Sequence, residues 1–345
     1  MATAFLRDDI IELHSDPTHP EQAERLASLT QALEASELAS VLRTLPLRPA
    51  RESEIAAVHR GQMLERTQML ALDGGGRLDA DTYVTPDSWQ VACHAAGTVI
   101  TATEAVVGGT VANAFAVVRP PGHHATATRA MGFCLVNNVA VAAQYALDHL
   151  GVKRIAIIDW DVHHGNGTQD IFYGNAQVLY CSTHNYPFYP GTGHWQEMGQ
   201  GVGYGTTLNV PLPPGTDETA FVRTYDELII PALRRFEPDM IMVSAGYDAH
   251  WADPLGAMLV STTGYALVAT KVYNLAADVC GGRIVCALEG GYHPPALVEC
   301  IIATLQVLRG RPDLVHNGLG VQAEQPVDIA RLIATIQHQH PLLQS

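Results

Sequence analysis

The sequence predicts an α/β protein, a single domain over 1–345 with a mostly parallel β-sheet flanked by helices. Three observations predict it. Short β-branched runs alternate with longer amphipathic or apolar stretches, the runs end in polar clusters, and no repeat, low-complexity tract or Pro/Gly/Ser-rich linker divides the chain. In chain order, "AFAVVRP" (114–120) is the first strand, and a helix follows over 137–149, closed by Gly151 at the position favoured for a helix C-cap. "RIAIIDWD" (154–161) and "QVLYCSTH" (177–184) are the next strands, and 218–236 has helical patterning. "DMIMVSAGYD" (239–248) leads to a helix over 263–280 stopped by Gly281, then "RIVCALEGGY" (283–292) and a last helix over 295–308. The tail beyond about residue 310 reads as a peripheral appendage.

With 345 residues, 47% hydrophobic and 16% charged, the chain can bury a large core. A net charge of −15 without any Lys/Arg-rich run argues against a nucleic-acid phosphate backbone as partner. The same charge suits a cationic substrate, although solubility alone accounts for it. The six cysteines form no C-x-x-C pair and lie mostly in apolar segments, as reduced thiols do. The start "MATAFLRDDIIELHSDP" carries acidic residues where a signal peptide needs an apolar core, and nowhere do 18 apolar residues run together. A cytoplasmic protein without a membrane span is expected, and a homo-oligomer is left open.

In sheets of this kind ligands bind beyond the carboxyl ends of the strands. There "AFAVVRP" runs into "PGHHA", "RIAIID" into "WDVHHGNG", "MIMVSAGY" into "DAHWADP" and "RIVCALE" into "GGYH". Asp161 and His163 are two apart, so on an extended segment their side chains point the same way and can share one metal ion, with Asp248 arriving from another strand end. A lone D-x-H also caps turns; the company of the other strand ends gives this one its weight. Three N/O ligands without a thiolate suit Zn²⁺ or Fe²⁺ and leave a position open for water. His123 and His124, aimed by the stiff "RPPG" before them, suit proton shuttling, with Asp159 or Asn166 as acceptors that set their tautomers. Tyr292 follows a Gly-Gly pair that lets its phenol approach a small substrate and stabilise an oxyanion.

These residues resemble the histone deacetylase family of zinc-dependent amidohydrolases, which includes acetylpolyamine amidohydrolases. The resemblance begins at "HPEQAERL" (19–26) and continues through "RPPGHHA", "GFCLVNNVAVAA", "DWDVHHGNGTQDIFY", "YPGTG" and "VSAGYDAHWADPLG" to "LEGGY". "DWDVHHGNGTQ" and "SAGYDA" are similar to the class II branch. The resemblance implies the arginase/deacetylase fold, Asp161, His163 and Asp248 as ligands of one zinc, His123 and His124 as the tandem histidines, and Tyr292 as the carbonyl-polarising phenol. It further implies that Asp159 partners His123 and Asn166 partners His124. Gly132, Phe133 and Tyr189 are to line a narrow acyl-lysine tunnel with Leu255 at its mouth. A structural K⁺ is implied at Asp159, Asp161, His163, Ser182 and Thr183, partly through backbone carbonyls. Two departures stand out: "YVTP" (83–86) occupies the place of a rim aspartate, which Asp79 or Asp81 would have to replace, and Tyr189 stands where many relatives have Phe.

The arginase-type ureohydrolases share this fold and bind two metal ions through additional carboxylates. Here those places hold Gly165 and His250, so one ion and amide hydrolysis are expected. The expected substrate is acetyl-lysine or a similar acylated primary amine; acetylpolyamines and other small N-acetyl amides fit the same tunnel. A catalytically inactive module that binds acetylated ligands is the remaining reading.

Overall fold

The computed structural model describes residues 2–322 and 326–344. Its main sheet contains β1 (Thr3–Arg7), β2 (Asn113–Val117), β3 (Ile155–Asp159), β4 (Val178–Asn185), β5 (Thr207–Leu212), β6 (Met240–Ala245) and β7 (Ile284–Leu288). The order across the sheet is β1-β2-β7-β6-β3-β4-β5, and every neighbouring pair is parallel. Parallel sheets are covered on both faces, which explains why these strands are unbroken apolar runs rather than alternating ones. Ile155 and Ile157 enter one core while Ala156 and Ile158 enter the other, as the two-residue period of a strand requires.

One face is covered by α1 (Ser88–Val107) and α2 (Asn138–His149), whose Asn137 cap accepts a hydrogen bond from the Ala140 N–H at 3.0 Å. After α3 (Asn166–Phe172), the other face receives the helical stretch 218–236, α4 (Thr262–Cys280) and α5 (Pro294–Leu308). Gly281 ends α4 at φ 63°, and Gly151 follows α2 at φ 70°, both in the left-handed region that glycine enters without penalty.

The expected strands and helices are present, with ends shifted by a few residues. Two strands of the main sheet were not legible, nor was the short antiparallel pair Gly76–Arg77 and Tyr83–Val84. Both β1 and β5 are edge strands, and "TLNVPL" carries an Asn and a Pro that argue against a strand; Pro211 is tolerated because an edge strand has a free side. The helix expected over 218–236 widens to a π-turn at Tyr225–Ile229. Pro231 has no N–H to return to the Glu227 carbonyl, and Gln337 Nε2 donates to that carbonyl instead, at 3.2 Å.

Gln337 belongs to α6 (Ala330–Gln339), in the tail expected to be peripheral. That expectation needs correcting. Ile329, Ile333 and Ile336 are buried in the core that also holds Tyr225 and Ile229, and His340 Nε2 bonds the Thr207 carbonyl at 2.9 Å. No helix among the described residues is long and apolar enough to cross a membrane.

Candidate active site

The adjacent strands β2, β7, β6 and β3 form the middle of the sheet, and their carboxyl ends deliver His123 and His124, Tyr292, Asp248, and Asp161 with His163 respectively. Asp161, His163 and Asp248 present ligand atoms that all lie within 4.8 Å of one another. His163 Nδ1 is 3.1 Å from both Asp161 Oδ1 and Asp248 Oδ2. That spacing fits an ion: the edge of a tetrahedron with bonds of 2.0–2.1 Å is about 3.3 Å. Burial disfavours the charged imidazole, but the two carboxylates outweigh it and raise His163 to about 10, so the pocket favours a cation at this nitrogen. Each carboxylate is held from behind as well. Asp161 Oδ2 accepts from the Gly290 N–H at 2.9 Å and Asp248 Oδ1 from the Val162 N–H at 2.8 Å. A Cβ on Gly290 would collide with both carboxylates, so glycine is required there for packing.

His123 and His124 lie with ring centroids 4.0 Å apart, and each Nδ1 meets its own acceptor. His123 Nδ1 is 3.0 Å from Asp159 Oδ2, and His124 Nδ1 is 2.8 Å from Asn166 Oδ1. Both bonds place the proton on Nδ1 and leave Nε2 for the site. The environments then separate the rings. Burial works against a charge on either, but Asp159 and Asp161 overcome it at His123 and raise its pKa well above the ordinary value. At His124, burial together with the neighbouring His123 and His163 drives the pKa well below. The two rings are thereby pushed in opposite directions.

Tyr292 shares with His124 and His163 a cavity of about 220 Å³. Gly132, Phe133, Tyr189 and Phe188 form its walls, and Asp81 and Leu255, both half-buried, also border it. Tyr189 stands edge-on to His124 at 5.1 Å and Phe133 edge-on to Tyr292 at 5.7 Å. Gly132 has φ 57°, and a Cβ there would strike the His124 ring and the Tyr189 hydroxyl. Phe133 adopts φ 68°, unusual for a bulky residue and of the kind found at functional sites. The Tyr292 phenol keeps its proton because burial pushes its pKa far up, against the pull of Arg25.

Every expected catalytic and metal-site residue therefore reaches one locus, and every expected tunnel residue lines the cavity. Ser182 lies opposite Asp159 in the β3–β4 register, its hydroxyl 2.8 Å from His184 Nδ1; Thr183 Oγ1 lies 3.4 Å from the Tyr225 hydroxyl. Of the two suggested rim aspartates, Asp81 borders the cavity, and its N–H donates to Asp79 Oδ1 at 3.1 Å. Gly165 and His250 bring no carboxylate to the triad.

Several residues were missed. Asp253 Oδ2 accepts from the N–H groups of Tyr292 at 2.5 Å and His293 at 3.1 Å, and Asp253 Oδ1 from that of Leu255 at 2.9 Å. Arg25 lies over the Tyr292 ring at 4.6 Å, donates to the carbonyls of Gly291 and Glu289 at 2.7 and 2.8 Å, and is held by Glu21 at 3.0 Å. Phe188 stacks on His163 at 5.3 Å. The signal for Asp253 and Arg25 was their place inside "DAHWADP" and "HPEQAERL"; nothing in the sequence shows which backbone groups they grip.

A parallel α/β sheet whose central strand ends gather a carboxylate–imidazole triad, paired histidines and a phenol beside an aromatic-walled cavity has the architecture of the deacetylase class of hydrolases. Comparison with known proteins gives the same class. The histone deacetylase domain matches residues 19–308. A histone deacetylase-like amidohydrolase of Pseudomonas aeruginosa is 38% identical over 89% of this chain and 82% of its own length. A probable deacetylase of Archaeoglobus fulgidus is 40% identical over 83% of this chain and 79% of its own. The crystal structure of the HDA15 HD domain superposes with a TM-score of 0.89 at 33% identity, covering 99% of this chain and 98% of that one. The chain belongs to the histone deacetylase family.

Proposed function

We infer that the protein is a zinc-dependent deacetylase that hydrolyses N-acetyl amides of lysine side chains or similar primary amines. The observation that carries this is that His124 and Tyr292 face the Asp161–His163–Asp248 triad across one aromatic-walled cavity. Zn²⁺ or Fe²⁺ suits the donor set, and such an ion, held by Asp161, His163 and Asp248, would supply Lewis acidity toward the amide carbonyl and the attacking water. His124 Nε2 takes the proton from that water and passes it to the departing amine nitrogen. His123, its Nδ1 bonded to Asp159 at 3.0 Å, supports the neighbouring His124 ring, and the Tyr292 hydroxyl donates to the developing oxyanion. Phe133, Phe188 and Tyr189 enclose the methylenes of the acylated amine and exclude bulk water.

A structural K⁺ at Asp159, Asp161, His163, Ser182 and Thr183 belongs to the same reading, supported by the adjacency of Asp159 and Ser182. So does a cytoplasmic setting, supported by six free cysteines, all but Cys93 buried. Acetylpolyamine hydrolysis is the second reading, favoured by the Asp81 carboxylate beside the cavity.

The test is turnover of acetyl-lysine peptides and acetylpolyamines by purified protein, with metal analysis alongside. One transition ion per chain and chelator-sensitive release of acetate are expected. Two tightly bound ions per chain, or no amide hydrolysis across the panel by metal-loaded protein, would sink the reading.

A further inference from the structure

Glu289 stands at the end of β7, buried to 1% exposure, and the reaction outlined above gives it no part. A carboxylate in such a place costs free energy unless its oxygens are hydrogen-bonded. Both are. Oε2 accepts from the N–H groups of Gly122 at 2.6 Å and His123 at 3.1 Å, and Oε1 accepts from the Ser244 hydroxyl on β6 at 3.1 Å. The carbonyl of the same residue receives Arg25, which covers the Tyr292 ring. Residue 289 thus touches the turn bearing the tandem histidines through its side chain and the support of the phenol through its backbone.

The carbonyl side of the Gly122–His123 turn is held elsewhere, the His123 carbonyl accepting from the N–H groups of Gly167 at 2.9 Å and Thr168 at 3.2 Å, but its N–H side rests on Glu289. The Gly122 N–H and the His123 N–H converge on one oxygen, a geometry that fixes the peptide plane between them and hence the exit direction of both imidazoles. Gly122 itself is closely packed, since a Cβ there would strike the Asn138 N–H, so the turn is braced by Asn138 on one side and held by Glu289 on the other. We propose that Glu289 is a positioning residue for His123 and His124, its carboxylate setting the turn that aims both rings and registering it against the Tyr292 loop. The proposal rests on the deacetylase reading for its kinetic consequence but not for its structural one.

The distinguishing variant is Glu289→Gln. Its carbonyl oxygen can keep both N–H donors while its amide turns to Ser244, whose hydroxyl can accept. Positioning by hydrogen bonds therefore survives in Gln and is lost in Ala. With metal-loaded protein, Glu289→Ala is expected to lower kcat by roughly 10- to 100-fold with KM within about twofold, as small misplacements of catalytic groups do. Glu289→Gln should lose less than about threefold. Hydrogen–deuterium exchange of the peptide covering 118–125, which needs no substrate, should be slow in wild type and Gln and fast in Ala. Wild-type kcat in Glu289→Ala, or a Gln variant as impaired as Ala with exchange still slow, would overturn the proposal. Should Ala fail to fold, Glu289→Asp replaces it: one methylene shorter, it should exchange faster and lose about tenfold in kcat, and wild-type values of both would overturn the proposal. A wild type inactive on every amide but with the expected exchange pattern would count against the deacetylase reading and leave the role of Glu289 in the turn supported.

Discussion

At the scale of single residues, the site works by giving chemically similar groups different surroundings. His123 and His124 are neighbours in sequence with ring centroids 4.0 Å apart, yet one faces the Asp159 carboxylate and the other the uncharged Asn166 amide. The same logic keeps Tyr292 protonated: a phenol buried beside carboxylates can donate a hydrogen bond but cannot ionise. Tyr292→Phe should therefore lower kcat by roughly 10²-fold with little change in KM, because the lost bond strengthens only as the oxyanion forms. A raised KM at unchanged kcat would mean that the phenol only binds. His124→Ala should be at least as damaging, since one ring serves both water attack and amine departure. Parallel kinetics of the two variants check this, and a His124→Ala enzyme retaining a tenth of wild-type kcat would contradict the base assignment. Most of these residues were legible because two-residue spacing and strand ends are local properties. Glu289, Asp253 and Arg25 were not, because what each does depends on backbone groups between 39 and 266 positions away.

At the scale of elements, the sheet explains why the local signals sufficed for most of the fold. Strands buried on both faces must be apolar throughout, so β2, β3, β4, β6 and β7 announce themselves, whereas the edge strands β1 and β5 tolerate the polar residues and proline that disguise them. The long helix α1 was hidden for the opposite reason. It is buried nearly all round and so lacks a polar stripe of helical period. The tail was misjudged although α6 is amphipathic, because the helix 218–236 that its apolar face covers lies far away in sequence. Ile333, at 1% exposure, packs there, and Gln337 satisfies the Glu227 carbonyl that Pro231 leaves without a donor. Ile333→Ala should consequently destabilise the protein by about 2–4 kcal/mol, within the usual range for deleting a buried aliphatic side chain. Urea unfolding would measure it. A loss under about 0.5 kcal/mol would show that the tail docks loosely. Because α6 lies away from the central strand ends, KM for the acetylated substrate should be the same in this variant as in wild type.

At the scale of the molecule, a net charge of −15 attracts any cationic substrate, whether a lysine-rich peptide or a polyamine. Such attraction acts over a Debye length of about 10 Å at 0.1 M salt and does not distinguish one cation from another. Selectivity has to come from a charge fixed near the mouth. Asp81 is there, but burial and the adjoining Asp79 push its carboxyl above the ordinary range, and its Oδ1 already accepts from the Thr82 hydroxyl at 3.1 Å. Leu255, held by its N–H to Asp253, borders the cavity with an apolar side chain. A polyamine carries a second ammonium several carbons from its acetyl group, and a carboxylate at position 255 in a partly desolvated rim would pair with it for about 1–3 kcal/mol. The wild type is therefore expected to prefer acetyl-lysine peptides, and Leu255→Glu to shift the ratio of kcat/KM values toward acetylpolyamines by about tenfold, the equivalent of about 1.4 kcal/mol. Ionic strength separates the two effects. Raising salt should lower kcat/KM for both substrates while leaving the wild-type ratio nearly unchanged, whereas the shift in Leu255→Glu should largely persist because a partly buried pair is poorly screened. A wild type that already prefers acetylspermidine, or a Leu255→Glu enzyme whose ratio does not move, would show that position 255 does not set specificity.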